Sequence, residues 1–437
     1  MNILIFTFGT RGDVQPFVAL GAALKRSGHE VTLSTGQGFD AMIEAHGLTA
    51  APSSINYRDL VETPEALAAF RSMSGKLRAV HVFKDIVLRQ FEEMWDLAQE
   101  VRPDLLIYHP KGFLAQDIAE ALGAIAIPTT LQPSYVPTSA FANPFVPFDD
   151  IGAFGNRLTH HFIDGLTFWA QSTTIGRWRR DRLGLGKATS MRDFFAGYHP
   201  EGVRVPRLHG YSGVLVPRPH DWTKRERITG YWFLEGQPIV GEAFRWQAPE
   251  DLERFLSAGP PPVYVGFGSM PSPDAEALTN LVIEALRFAG VRGILTAGWG
   301  SLEKPAAPGD DLYFLESAPH DWLFPRCAAV VHHGGAGTTH EGLRWGRPTV
   351  ICPLGVDQPF WGRRVNALGA GPEPLLQRRM TSRNLAAAIG EALEPETAAR
   401  AAALGNAIRA EGGAAAAAAV VSELDRAADL EPAAVTQ

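Results

Sequence analysis
The chain has 437 residues, 46% apolar and 20% charged, with a net charge of −7. At roughly 150 residues per domain this length predicts two to three domains, and the apolar share excludes a disordered chain. The acidic balance, with no basic run, excludes a dedicated nucleic-acid-binding protein.

Residues 2–9 (NILIFTFG) read as a first strand; no basic residue precedes the apolar run, so it does not look like a secretion signal. A helical pattern follows from about Pro16 to Arg26, then a second strand, EVTLSTG. Strand, helix and strand within about 35 residues form a βαβ unit, which implies a parallel sheet. Residues 60–100 read as helix with Phe70, Leu77, Phe83, Phe91 and Trp95 on one face. DLLIYH (104–109), a helix near 113–122 and AIAIPTTL (124–131) continue the series. Residues 131–169 set Tyr135, Phe141, Phe145, Phe148, Phe154, Phe162, Phe168 and Trp169 among Pro, Gly and Asn, as a loop followed by a helix.

The Pro- and Gly-rich stretch 217–262 reads as a connection with one or two short strands. A second series then runs through PPVYVGFGS (261–269), a helix near 275–289, RGILTAG (292–298), DLYFLES (311–317) and AAVVHH (328–333). It ends with a helix from about Gly337, RPTVICP (347–353) and a helix from about Gln358. Cys327 and Cys352 lie in apolar, strand-like context; two cysteines cannot build a disulfide framework or zinc cage, so both read as buried side chains in a reducing compartment. The Ala-rich tail, 382–427, is helical by propensity. The expected fold is α/β, with two Rossmann-like doubly wound parallel-sheet domains facing an interdomain cleft. The expected boundaries are 1–219, a linker at 220–240, 241–410, and a helical tail at 411–437 that packs back on the first domain. No stretch reaches the roughly 18 apolar residues of a membrane span. The expectation is a cytoplasmic protein, with peripheral membrane contact open.

In doubly wound sheets ligands bind beyond the carboxyl ends of the strands, and three such loops carry unusual residues. In VVHHGGAGTTHEGL (330–343) two histidines precede a Gly-rich turn that opens a helix. Glycines let backbone N–H groups approach an anion, and the helix start adds partial positive charge. The dipole contributes only about 0.3–1 kcal/mol. Holding a diphosphate therefore needs charge-assisted hydrogen bonds of about 1.5–3 kcal/mol each, one of them from a strand-end histidine. In PLGVDQPFWGRRV (353–365), Asp357 and Gln358 offer acceptors and a donor to vicinal hydroxyls. In FGTRGDVQP (8–16), Asp13 is placed to act as a general base. Taken alone, each Asp reads first as a helix N-cap.

Together these segments resemble the inverting UDP-sugar glycosyltransferases of GT-B fold, in the branch of sterol 3β-glucosyltransferases and of enzymes that glycosylate glycopeptides and macrolides. LTHHFIDGLTFWAQ (158–171), RWRRDRLGLG (177–186) and ITGYWFLE (228–235) share in that resemblance. So do the offsets from His333: eight residues to Glu341 and 24 to Asp357. The resemblance implies His333 on the diphosphate, surrounded by Gly335, Gly337, Thr338 and Thr339. It implies Glu341 on the ribose, Asp357 and Gln358 on the sugar, and Ser269 near the phosphates. His320 and Trp322 fall in the uracil-contacting segment, and Thr10 and Arg11 approach the phosphates from the other domain. The first loop carries no histidine, which moves the base to Asp13. An exposed Asp titrates near 4 and is a weak base for an alcohol, so partial burial or late proton transfer must compensate.

The resemblance implies UDP-glucose as donor, with TDP-linked sugars open, and a hydrophobic acceptor such as a sterol, terpenoid or macrolide near Phe83, Tyr135, Phe141 and Phe145. No Asp-X-Asp motif occurs, so no metal and no cofactor are expected beyond the nucleotide sugar as co-substrate. Two other classes stay open: a nucleotide-sugar epimerase, and a non-catalytic lipid- or sugar-binding module. An NAD-type oxidoreductase fits less well, since GTRGD lacks the G-x-G-x-x-G spacing.

Overall fold
A computed structural model describes residues 1–61, 63, 84–186, 195–235, 246–268, 274–298, 301–304 and 309–424. The chain forms two compact units, one of Met1–Gly213, Pro217–Ala243 and Gly412–Gln437, the other of Val214–Val216 and Phe244–Glu411.

In the first unit the elements follow as β1 (Asn2–Phe6), α1 (Arg11–Arg26), β2 (Glu30–Thr35), α2 (Asp40–Ala45), β3 (Thr49–Pro52) and α3 (Tyr57–Val61). Then come α4 (Lys84–Val101), β4 (Leu105–Tyr108), α5 (Ala115–Leu122), β5 (Ile125–Thr130), α6 (Ala153–Leu183), β6 (Arg207–His209) and β7 (Glu226–Ile228). The seven strands form one parallel sheet in the order β3-β2-β1-β4-β5-β6-β7. Chain direction across the sheet reverses between β1 and β4, which opens a crevice at their carboxyl ends. Ile3–Phe6 and Leu105–Tyr108 are apolar without alternation because packed side chains cover both faces of the sheet.

Helix α1 starts five residues before the Pro16 expected from the sequence. Thr10 and Asp13 form a capping box that nucleates it early. Pro16 lies inside and removes one intrahelical bond; the buried Phe17, Val18, Leu20 and Leu24 offset that loss, each contributing about 1.5–3 kcal/mol.

The second unit runs α7 (Glu250–Ser257), β8 (Val263–Gly266), α8 (Ala275–Phe288), β9 (Gly293–Thr296), β10 (Leu312–Leu315), α9 (His320–Leu323) and β11 (Ala329–His332). It continues with α10 (Ala336–Arg344), β12 (Thr349–Ile351), α11 (Gln358–Ala367), α12 (Ser382–Ala392) and α13 (Pro395–Arg409). Its parallel sheet has the order β10-β9-β8-β11-β12, so its reversal lies between β8 and β11. Helix α7 falls in the stretch read as a strand-bearing connection. Pro249 precedes it, and Glu250, Asp251 and Glu253 load its first turn, a start signal outweighed by the surrounding Pro and Gly.

The chain then returns to the first unit as α14 (Gly413–Glu423), whose Ala417, Ala418, Val420 and Val421 join the core of Phe17, Leu20 and Leu24. Cys327 and Cys352 are buried free thiols, each pushed up to about 12 by burial. Among the described residues no helix is long and apolar enough to cross a membrane.

Candidate active site
In the second unit, β11 delivers His332 and His333 to the point where the sheet reverses. His332 is buried, and its Nδ1 accepts the Gly334 N–H at 2.9 Å, which fixes the turn. The His333 imidazole lies against the loop leaving β8. A Cβ on Gly268 would stand 2.6 Å from His333 Cε1, and Gly268 has φ +69, so only glycine fits there. Burial pulls the His333 pKa down to about 4, and its buried Nδ1 has no hydrogen-bond partner among the described residues. The resting imidazole is therefore neutral, and a bond from it to an anionic diphosphate is charge-assisted from the phosphate side.

Gly335 caps α10, and the first-turn N–H groups of Ala336, Gly337 and Thr338 have no partner within the helix. Thr338 is half-buried beside them. Thr339 is fully buried and its hydroxyl donates to the Gly335 carbonyl at 2.9 Å, so it braces the helix from inside. Glu341 accepts the Trp345 indole N–H at 2.7 Å. Asp357 stands at the N-cap position of α11 without a side-chain cap bond and accepts the Trp361 indole N–H at 2.9 Å. Capping alone thus does not account for this carboxylate. Gln358 Oε1 accepts from the N–H groups of Leu354 and Gly355, closing the loop after β12 on itself. His320 stacks on Phe324 at 4.3 Å, and Trp322 packs against Trp246 with Arg326 over its ring. Ser269 lies outside the described residues.

In the first unit, Asp13 sits where β1 and β4 part. Its Oδ2 accepts from the Thr10 N–H at 2.9 Å and from Lys111 Nζ at 2.8 Å. His109 Nδ1 accepts the Lys111 N–H at 3.3 Å, which leaves the proton on Nε2, buried without a hydrogen bond and 3.8 Å from Asp13 Oδ1. Burial pulls His109 down to about 3, so it is neutral. Burial also raises the Asp13 pKa, but the Lys111 ammonium, with the Thr10 N–H, holds it below the usual carboxylate value. Burial therefore does not make Asp13 a stronger base, as the sequence reading allowed. Gly9, at φ +137, completes this nest, since a Cβ there would run into the Asp13 carboxylate. His109 and Lys111 were missed in the sequence because the loop after the fourth strand looks like an ordinary H-P-K turn. Thr10 is half-buried, and Arg11 is exposed with its Nε donating to Gln15.

Of the expected acceptor residues, Tyr135 packs on Phe195 at 4.8 Å and on Phe145 at 6.3 Å, as an edge of the core. Phe141 lies apart from them, against His160. Phe83 lies outside the described residues.

Residues 3–136 match the profile of the Glycosyltransferase family 28 N-terminal domain, and residues 302–424 match that of the Erythromycin biosynthesis protein CIII-like C-terminal domain. Both domains sit on a GT-B fold. A sterol 3-beta-glucosyltransferase of Arabidopsis thaliana is 34% identical over 424 residues, covering 94% of this chain and 63% of that protein. One from Aspergillus clavatus is 34% identical, covering 98% of this chain and 30% of its own length. The chain thus spans under two thirds of these curated relatives. Among solved structures, the glycotransferase of kitacinnamycin superposes with a TM-score of 0.71 at 20% identity, covering 96% of this chain and 98% of that one. The calicheamicin glycosyltransferase CalG4 gives 0.69 at 17% identity, covering 98% and 99%. The fold read from the two βαβ series is the fold these structures share, and the resemblance to the sterol branch extends through most of the chain.

Proposed function
We propose that this protein is an inverting, metal-independent glycosyltransferase that moves glucose from UDP-glucose to a hydroxyl of a hydrophobic acceptor such as a sterol, terpenoid or macrolide. The observation that carries the reading is the pairing of His333 with Gly268 beside the open start of α10, at the reversal point of the second sheet. A neutral imidazole and three N–H groups suit a diphosphate, whose charge grows as the glycosidic bond breaks. Thr338 lies beside that grip, Thr339 stiffens it, and Ser269 belongs to the same proposal. Thr10 and Arg11 belong to the same donor-binding proposal. Glu341 reads the ribose, Asp357 and Gln358 the sugar, and the His320–Trp322 segment the base.

Asp13 accepts the proton of the acceptor hydroxyl. The acceptor oxygen bonds to the anomeric carbon, the carbon–phosphate oxygen bond breaks, UDP departs, and an α-linked donor yields a β-glycoside. Because Lys111 keeps Asp13 a weak base, proton transfer runs late, when the attacking oxygen has become acidic. The aromatic loop 131–152, with Tyr135, Phe141 and Phe145, offers the acceptor side of the first unit, and Phe83 belongs to the same proposal. The protein works in the cytoplasm and meets its acceptor at a membrane surface.

A UDP-release screen of hydrophobic alcohols against UDP-glucose and a TDP-linked sugar, in EDTA, tests this reading. The expected result is acceptor-dependent UDP release with a β-glycoside product. Conversion of the nucleotide sugar without an acceptor would mean an epimerase, and ligand binding without release would mean a binding module.

A further inference from the structure
Among the described residues, nine large apolar side chains are exposed, and six of them fall between Phe148 and Trp169. They are not scattered. Ile151, Phe154, Leu158, Phe162 and Trp169 recur at spacings of three, four, four and seven, which sets them in one stripe along the outer side of α6. Phe154 is 82% exposed, Phe162 61% and Trp169 70%. The opposite side of the helix is tied down: His160 donates from Nε2 to the Phe141 carbonyl and accepts the Asn143 amide on Nδ1, Trp178 donates to Glu92, and Arg179 pairs with Asp117. The helix therefore keeps its place while presenting this stripe outward. A contiguous apolar stripe of this kind on a folded domain marks a contact surface.

Charge identifies the occupant. Helix α6 carries five Arg against two Asp, in a chain whose net charge is −7; Arg179 and Arg182 are turned to Asp117 and Glu92, which leaves Arg157, Arg177 and Arg180 exposed. The stripe itself holds no carboxylate. Arg177 and Arg180 are exposed at its C-terminal end, Arg180 beside Asp181, and Arg157 flanks its N-terminal half, 3.8 Å from Asp221. Asp149 and Asp150, just before the helix, are exposed, and Asp150 accepts from the Gly152 N–H and the Asn156 amide, so the positive end of the surface is the C-terminal one. Phe, Leu and Trp on one side of a helix with Arg beside them, and no span long enough to cross, is the pattern of a helix lying in a lipid–water interface. At 31 residues the helix is about 46 Å long, enough to lay several aromatic side chains at headgroup depth.

We propose that the exposed stripe of α6 is a docking surface for an anionic phospholipid bilayer, with Phe154, Leu158, Phe162 and Trp169 entering the interface and Arg177 and Arg180 meeting the headgroups. It places the first unit at the surface where apolar acceptors dissolve. It stands independently of the glycosyl-transfer reading, since lipid binding is measured without turnover.

Flotation of the full chain with vesicles of phosphatidylcholine and phosphatidylserine in 7:3 ratio tests it, beside pure phosphatidylcholine. The wild type is expected to float with the anionic vesicles and to be released by salt. The double variant Phe154→Ser/Phe162→Ser should partition at least about tenfold less, and Arg177→Gln/Arg180→Gln several-fold less on anionic vesicles only. Circular dichroism and UDP release with a water-soluble acceptor should be unchanged in both. Wild-type protein that stays at the bottom of the gradient overturns the proposal, as does an apolar variant that floats like wild type. A wild-type dimer that the double variant dissolves, with no vesicle binding, would assign the stripe to a second copy instead.

Discussion

The two crevices, one at each sheet's reversal, are built by opposite means. After β11 and β12 in the second unit, the polar groups are set by neighbours four residues away: Trp345 on Glu341, Trp361 on Asp357, Leu354 on Gln358. After β1 and β4 in the first unit, the carboxylate of Asp13 is governed by Lys111, 98 residues along the chain. These local bonds hold Glu341, Asp357 and Gln358 within their own turns, while His333 leans on the distant loop at Gly268. A nest made of two distant loops makes the charge of Asp13 depend on the sheet that joins them.

Removing the groups proposed to touch the reacting atoms should have the largest effects. Asp13→Asn should lower kcat by roughly 10²–10⁴ while thermal unfolding shows a folded protein. Turnover at the wild-type rate would reduce Asp13 to a capping residue. His333→Ala should lower kcat/KM by roughly 10²–10³, with UDP affinity measured by calorimetry falling as well.

The contrast between local and distant support sharpens with two milder substitutions. Trp361→Phe keeps the buried ring and removes the N–H bond to Asp357. It should raise the donor KM about fivefold with little change in the inhibition constant of free UDP, since Asp357 is proposed to read the sugar. An equal loss for UDP would place Asp357 elsewhere.

Lys111→Met should have the smallest effect at neutral pH and show itself in the pH profile. The folded pKa of Asp13 is depressed, so its ionised form persists as pH falls until that low value is crossed. Without Lys111, burial prevails and the pKa rises, so the acid limb of kcat/KM should move to higher pH, and Lys111→Arg should restore it. The ion pair's contribution to stability is present above the unfolded carboxylate value near 3.9 and lost below the folded one. In Lys111→Met that contribution is missing above the unfolded value, so chemical denaturation should separate the two proteins at pH 7, with the gap closing as pH falls through the depressed folded value. An unshifted acid limb would mean that the rate does not report on Asp13 ionisation.

The amino-acid sequence alone determined the α/β class, the two βαβ series and the motif H-H-G-G-A-G-T-T with its offsets to Glu341 and Asp357, because strand runs, helix starts and glycine turns are signals of local backbone chemistry. It also carried Asp13, though in sequence the capping box and the base look identical. Only the tertiary structure decided that Asp13 is held by Lys111 beside His109, that Thr339 turns inward, that Asp357 bonds an indole rather than a helix end, and that Phe154, Phe162 and Trp169 of α6 face outward. Each of these depends on which side of an element meets another part of the chain, and the 3.6-residue period of α6 reads the same whether its apolar side is buried in a core or left for a lipid surface.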